Sequence, residues 1–220
     1  VAKFGCRPVE FVRRLGWLGE DIYFAHCVQL NDEEIRVLAE TGTGIAHCPN
    51  SNMFLNSGVC RVSDLLKLGG NVGIGVDGAA SNNASNMMSE IRSAYLVHRL
   101  TYGERAPSAE QILEMATVGG ARVLGRDDIG VIAPGMAADI VLMDWDQLSY
   151  AGGKNDPVAS IVMSGDSRMV DTVVVNGDTV VHRGNLVKVD EQKIRTKVNQ
   201  IGNKLLKAAS ERIPELKKDI

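Results

Sequence analysis

The chain has no strong excess of charge of either sign, no long apolar run and no paired cysteines. Its 24 Lys and Arg stand against 27 Asp and Glu, a formal net charge of −3. With a pI near 5.8 it offers no polyanion-binding surface, so nucleic acid is not an expected partner. The four cysteines, Cys6, Cys27, Cys48 and Cys60, form no CxxC or CxxxxC pair. That spacing excludes a zinc knuckle and a thioredoxin motif, and points to reduced thiols and a cytoplasmic location. No apolar run approaches transmembrane length and residues 1–20 carry no signal-peptide pattern, so no membrane association is expected. Histidine is also scarce, four in all, which makes the position of each informative.

What is present suits a packed α/β protein: 45% hydrophobic residues and 23 glycines in 220. A helix over 7–15 is followed by a strand candidate over 21–30 with His26 near its end. Asn31 or Asp32 caps a helix over 33–41. A strand over 43–48 ends at His47 and Cys48, and residues 50–57 read as a loop. After a short helix over 62–68, a third strand, 71–77, ends in Asp77 and Gly78. Strand ends spaced by roughly 25 residues, each preceding a helix, indicate parallel βα units.

Each strand therefore ends in an ionisable residue: His26, His47, Asp77. In β/α folds the chemistry sits at the C-terminal ends of the strands. Asp77 by itself reads equally well as a turn cap; three such ends together favour a shared mouth. Asp77 could ligate a divalent metal, accept a proton, or both. Because neighbours on a strand face opposite ways, Cys27 and Cys48 would point away from a site that His26 and His47 face. His98, inside a helix, reads as structural or surface-exposed, and His182 as exposed.

A strong helix over 85–100 follows, then a capping box at Ser108 and Gln111 opening a helix over 109–115. A further short helix over 119–124 begins at Gly119–Gly120. After Asp128 the composition changes. A strand over 139–143, a short helix or strand over 156–165, a hairpin around Asn176–Gly177 and an edge strand over 185–189 form a small β module. Residues 191–206 form an amphipathic packing helix with Ile194, Val198, Ile201 and Leu205 on one stripe; the charged end, 210–220, is expected to fray.

The segments FAHCVQLNDEEI (24–35), AHCPNSNMFL (46–55) and GIGVDGAASNNASNMMSEIR (73–92) closely resemble consecutive segments of the amidohydrolase superfamily, in its metal-dependent deaminase and chlorohydrolase branch. GVIAPGMAADIVLMD (130–144) and the hairpin 173–181 resemble that family's C-terminal β domain. Within the branch the chain is most similar to 8-oxoguanine deaminases.

The resemblance implies the C-terminal part of a TIM-like (β/α)8 barrel, strands six to eight with trailing helices over 1–128. It further implies part of a β-sandwich over 129–190 and a C-terminal helix and tail over 191–220. It implies that Asp77 ligates zinc (iron or another divalent metal being alternatives) and shuttles protons, and that His26 orients substrate or stabilises developing charge. Asn52, Ser81, Asn82 and, in a supporting role, His47 would touch the substrate. Asn83 would lie beside the pocket, and Glu90 and Arg92 match an E-x-R for which a structural ion pair is expected. The implied reaction is hydrolytic deamination of an aminated purine or related heterocycle, with release of ammonia.

The family's H-x-H pair and H-x-x-E segment, which supply the other metal ligands and an acid/base glutamate, do not occur in these 220 residues. The chain also opens on Val1 within a helix–turn–strand pattern. We therefore expect a piece of a longer enzyme, inactive alone, which forms a homo-oligomer or pairs with an N-terminal half. Two alternatives share these motifs: a non-catalytic fragment of the fold, and a hydrolase acting on guanine, cytosine, adenosine derivatives or chloro- and aminotriazines.

Overall fold

A computed structural model describes residues 3–213. Its first helix, α1 (Pro8–Arg14), starts where Pro8 supplies a helical φ and has no N–H to leave unpaired. A strand β1 (Tyr23–Ala25) leads to α2 (Asp32–Glu40). Asn31 caps α2 through a reciprocal box: its side chain accepts the Glu34 N–H at 2.8 Å, and Glu34 accepts the Asn31 N–H at 3.0 Å. Then come β2 (Gly44–His47), α3 (Pro49–Phe54), α4 (Val62–Lys67) and β3 (Val72–Ile74). The three strands form one parallel sheet in the order β1-β2-β3.

All three strands are shorter than their apolar runs suggest. The chain leaves β1 at His26 and Cys27, whose φ angles of +67° and +48° are left-handed and cannot continue a strand. Residues 50–54, part of the stretch 50–57 expected as loop, belong to the helix α3. Polar Asn50, Ser51 and Asn52 hide any apolar period, yet Pro49 at the first turn starts the helix. Register pairs Ala25 with Ala46 and His47 with Ile74, so the C-terminal ends lie level and feed one mouth. Among the described residues β1 has no partner on its outer edge.

Helix α5 (Met87–Tyr102) is capped by Asn86, whose side chain accepts the Met88 and Ser89 N–H groups. Helix α6 (Ala109–Glu114) carries the expected Ser108–Gln111 box. It passes without a break through a π turn, Met115–Gly119, into α7 (Gly120–Val123). The two glycines let this turn ride directly on β3: a Cβ on Gly119 would stand 2.4 Å from the Val72 carbonyl oxygen.

Strands β4 (Ile140–Met143), β5 (Val170–Val175), β6 (Asp178–His182) and β7 (Asn185–Leu186) form an antiparallel sheet in that order. Asn176 and Gly177 both take positive φ, the turn such a hairpin requires. Residues 157–164 are the helix α8 (Pro157–Ser164), not a strand, with Asp156 accepting the Ala159 N–H. It packs on α5 and α6, so Val162, Met169 and Tyr150 share one apolar core with Ile45, Leu65 and Ile91.

The last helix, α9 (Glu191–Arg212), departs from the expectation of a packing element. Ile194, Val198, Ile201 and Leu205 are 52, 58, 47 and 65% exposed, and no residue of α9 is buried. Ile194 and Val198 of the stripe border an open surface groove with Leu186 and Val189. Ser210–Arg212 complete the helix rather than fray, and residues 214–220 lie outside the described part. No helix among the described residues is long and apolar enough to cross a membrane.

Candidate active site

Asp77 sits three residues past β3, at φ +61°. Its Oδ2 accepts two hydroxyl hydrogen bonds, from Ser51 and from Ser81, each 2.6 Å long. These bonds, Ser51 first, and the Gly78 N–H hold its carboxyl down to about 2. It therefore stays ionised at every ordinary pH. His26 Nε2 lies 3.8 Å from the same oxygen. The ring's other nitrogen, Nδ1, is 2.9 Å from Asn52 Oδ1, which accepts its proton and so fixes the tautomer.

Asn82 is buried and donates both amide protons, one to the Val76 carbonyl at 2.7 Å and one to Glu90 at 2.5 Å. Asn50 donates its backbone N–H and its amide to the same Glu90 carboxylate, at 3.1 and 2.7 Å. Three consecutive residues of α3 thus each hold a different acidic or basic group: Asn50 holds Glu90, Ser51 holds Asp77, and Asn52 holds His26.

His26, Asn52, Asp77, Ser81 and Asn82 are brought together. His47 is not. It shares the face of β2 that carries Ile45, turned toward the helices, and is 1% exposed. Its Nε2 lies 3.2 Å from Nε2 of His98, a fully buried residue of α5. Burial, reinforced by the neighbouring rings, lowers His47 to about 3, and burial lowers His98 to about 4. Both rings are therefore neutral structural groups. Cys48, the residue between β2 and α3, has its thiol pushed up to about 11 by burial.

The structural ion-pair role expected for the E-x-R residues Glu90 and Arg92 is not seen among the described residues. Arg92 is exposed, while Glu90 is fully buried among amide donors. Asn83 is exposed. Asn50 and Ser51 join the site without having been singled out as site residues. The clue was the uninterrupted Asn-Ser-Asn directly after a strand-ending His-Cys-Pro. A surface cleft of about 610 Å³ between α1 and α2 is lined by Arg7, Glu10, Arg13 and Glu34 and takes in none of these groups.

No group of three or more His, Cys, Asp or Glu side chains among the described residues could hold a metal ion. A catalytic zinc takes three protein ligands and an open position. Asp77 and His26 supply two donors, so the residues present do not by themselves fit that metal.

Parallel strands thus deliver His26 and Asp77 to a common end of the sheet. The amidohydrolase family profile matches residues 1–180, and the chain belongs to that family. It is 46% identical over 175 residues to an 8-oxoguanine deaminase of Pseudomonas aeruginosa, an alignment covering 80% of this chain and 38% of that protein. It is 42% identical over 195 residues to a 5-methylthioadenosine/S-adenosylhomocysteine deaminase of Pelotomaculum thermopropionicum, covering 88% and 45%. The crystal structure of an adenosine deaminase from Xanthomonas campestris with bound zinc superposes with a TM-score of 0.86 at 32% identity, over 93% of this chain and 47% of that one. The chain thus spans less than half the length of these relatives, and its fold is part of a TIM-like barrel with a small antiparallel sheet.

Proposed function

We propose that the protein to which these residues belong is a metal-dependent hydrolase that deaminates a purine-like heterocycle, with 8-oxoguanine as the first substrate to test. The observation that carries this reading is the pairing of His26 and Asp77 across the mouth, on a chain whose relatives are named as deaminases of such substrates. Zinc, bound in the adenosine deaminase structure, is the metal of this reading, with Asp77 as one ligand. Bound there, it would supply an activated water.

The roles of this chain's own residues follow from their geometry. A carboxylate held at about 2 is a weak base at neutral pH, so Asp77 acts first as a fixed negative charge. Ser51 and Ser81 donate to one oxygen and fix its direction. Asn52 holds His26 by Nδ1, leaving Nε2 to face the space beside Asp77. In that tautomer Nε2 carries a lone pair and can accept a hydrogen bond from a substrate N–H or O–H there without first reorganising. Asn82 closes the loop after β3 on itself through the carbonyl of Val76, the residue just before Asp77.

The test is ammonia release by the full-length protein from 8-oxoguanine, guanine, 5-methylthioadenosine, S-adenosylhomocysteine and a hydroxytriazine. We expect turnover of at least one purine, with 8-oxoguanine leading. Failure to deaminate any purine overturns the reading, and a preference for adenosine derivatives overturns the choice of substrate.

A further inference from the structure

We propose that Glu90 is a positioning residue for the His26–Asp77 mouth, acting through Asn50 and Asn82 rather than touching the substrate. Glu90 is 0% exposed, so its carboxylate is an expensive group to bury without a task. Every neighbour that reaches it is an N–H donor: the Asn50 backbone and amide, and the Asn82 amide. An ionised carboxylate accepts all three, whereas a protonated one would turn an O–H against a donor. Burial nonetheless raises the carboxyl from its ordinary value, and the amide donors only partly offset this.

The three donors come from the two segments that build the mouth. Asn50 begins the turn of α3 whose next two residues hold Asp77 and His26. Asn82 closes the loop that begins at Asp77, and its second amide proton goes to the carbonyl just before Asp77. Glu90 therefore fastens both ends of the arrangement to α5. Releasing it frees α3 to turn and the 77–82 loop to lift, which moves Ser51 from Asp77 and Asn52 from His26. An E-x-R ion pair would predict nothing of the kind, and Arg92 is exposed and unengaged with Glu90.

The kinetic half of the test rests on the deaminase reading, while the spectroscopic half does not. In the full-length protein, Glu90→Ala should lower kcat by roughly 100-fold with KM little changed, the effect of misplacing a site by about an ångström. Glu90→Gln should recover most of this, to within about 10-fold of the parent, because its carbonyl oxygen still accepts the two side-chain amides. Arg92→Ala should be neutral.

Independently of turnover, the His26 ring nitrogens, assigned with His26→Gln, should show a single Nδ1–H tautomer in the parent. They should average toward a mixture in Glu90→Ala. A folded Glu90→Ala protein with parental kcat and an unchanged His26 ring overturns the proposal.

If Glu90→Ala does not fold, Glu90→Gln and Asn50→Ala are combined. Losses no greater together than the larger alone support one shared path, and additive losses overturn it. A parent that deaminates nothing, with a His26 ring that still responds to Glu90, sinks the proposed function and keeps this one. A parent that deaminates, with a site indifferent to Glu90, does the reverse.

Discussion

The parallel sheet and the antiparallel sheet draw on similar apolar residues and end in opposite states. In β2, Gly44, Ile45 and His47 are all buried; in β5, with four valines in six residues, none is. Both strands are paired on both edges. Ladder hydrogen bonds therefore do not decide burial. What differs is the layer above: α4, the π turn Met115–Gly119 and α7 pack on the parallel sheet, whereas α9 leaves its apolar stripe in solvent. The covered half can hold ionisable groups in unusual states because water is excluded. The open half holds none in that way.

The sharpest way to test this contrast is at the mouth. Asp77→Ala in the full-length protein should cost roughly 1000-fold or more in ammonia release. Retention of more than a few percent of activity with metal bound would remove Asp77 from the mechanism. Next is acid sensitivity, which the contrast places in the parallel half. Buried and neutral, His47 and His98 have folded values of about 3 and 4, below the unfolded imidazole value. Their stabilising contribution is thus complete above about pH 6.5 and lost as pH falls toward those values. Urea midpoints should fall by the equivalent of up to about 4 kcal/mol by pH 5, and a His47→Leu/His98→Leu variant should flatten that slope.

Core truncation gives a smaller effect and sets the halves side by side. Leu65→Ala should destabilise by about 3 kcal/mol, while Ile201→Ala in α9 of this chain should change stability by less than about 0.5 kcal/mol. Equal costs would erase the distinction between covered and open surfaces. Smallest is the α6 cap, where Ser108→Ala should cost about 1 kcal/mol in thermal unfolding.

Local chemistry was readable from the residues and distant pairing was not. The Ser108–Gln111 capping box, a cap at Asn31 or Asp32, the Asn-Gly hairpin and the three βα units show in the sequence because each depends on residues within a few positions. The strands were overread because an apolar run does not reveal a left-handed turn at His26 and Cys27. The E-x-R suggested an ion-pair role for Glu90 without showing a partner, and the partner Asn50 lies 40 residues away. His47 carried a usable signal: Ile45, two residues earlier, is a core residue, and i and i+2 of a strand share a face. The apolar stripe of α9 was correctly periodic, but periodicity cannot say that a partner is at hand.

The run Asn50–Ser51–Asn52 also behaves as a reading frame. Successive residues of a helix point about 100° apart, so each of the three bonds depends on its place in the count. One residue inserted between Cys48 and Asn50 would present the wrong side chain to Glu90, Asp77 and His26 at once. Point changes in this turn can be graded and compensated singly. A change of length cannot, and the segment should tolerate substitution far better than insertion or deletion.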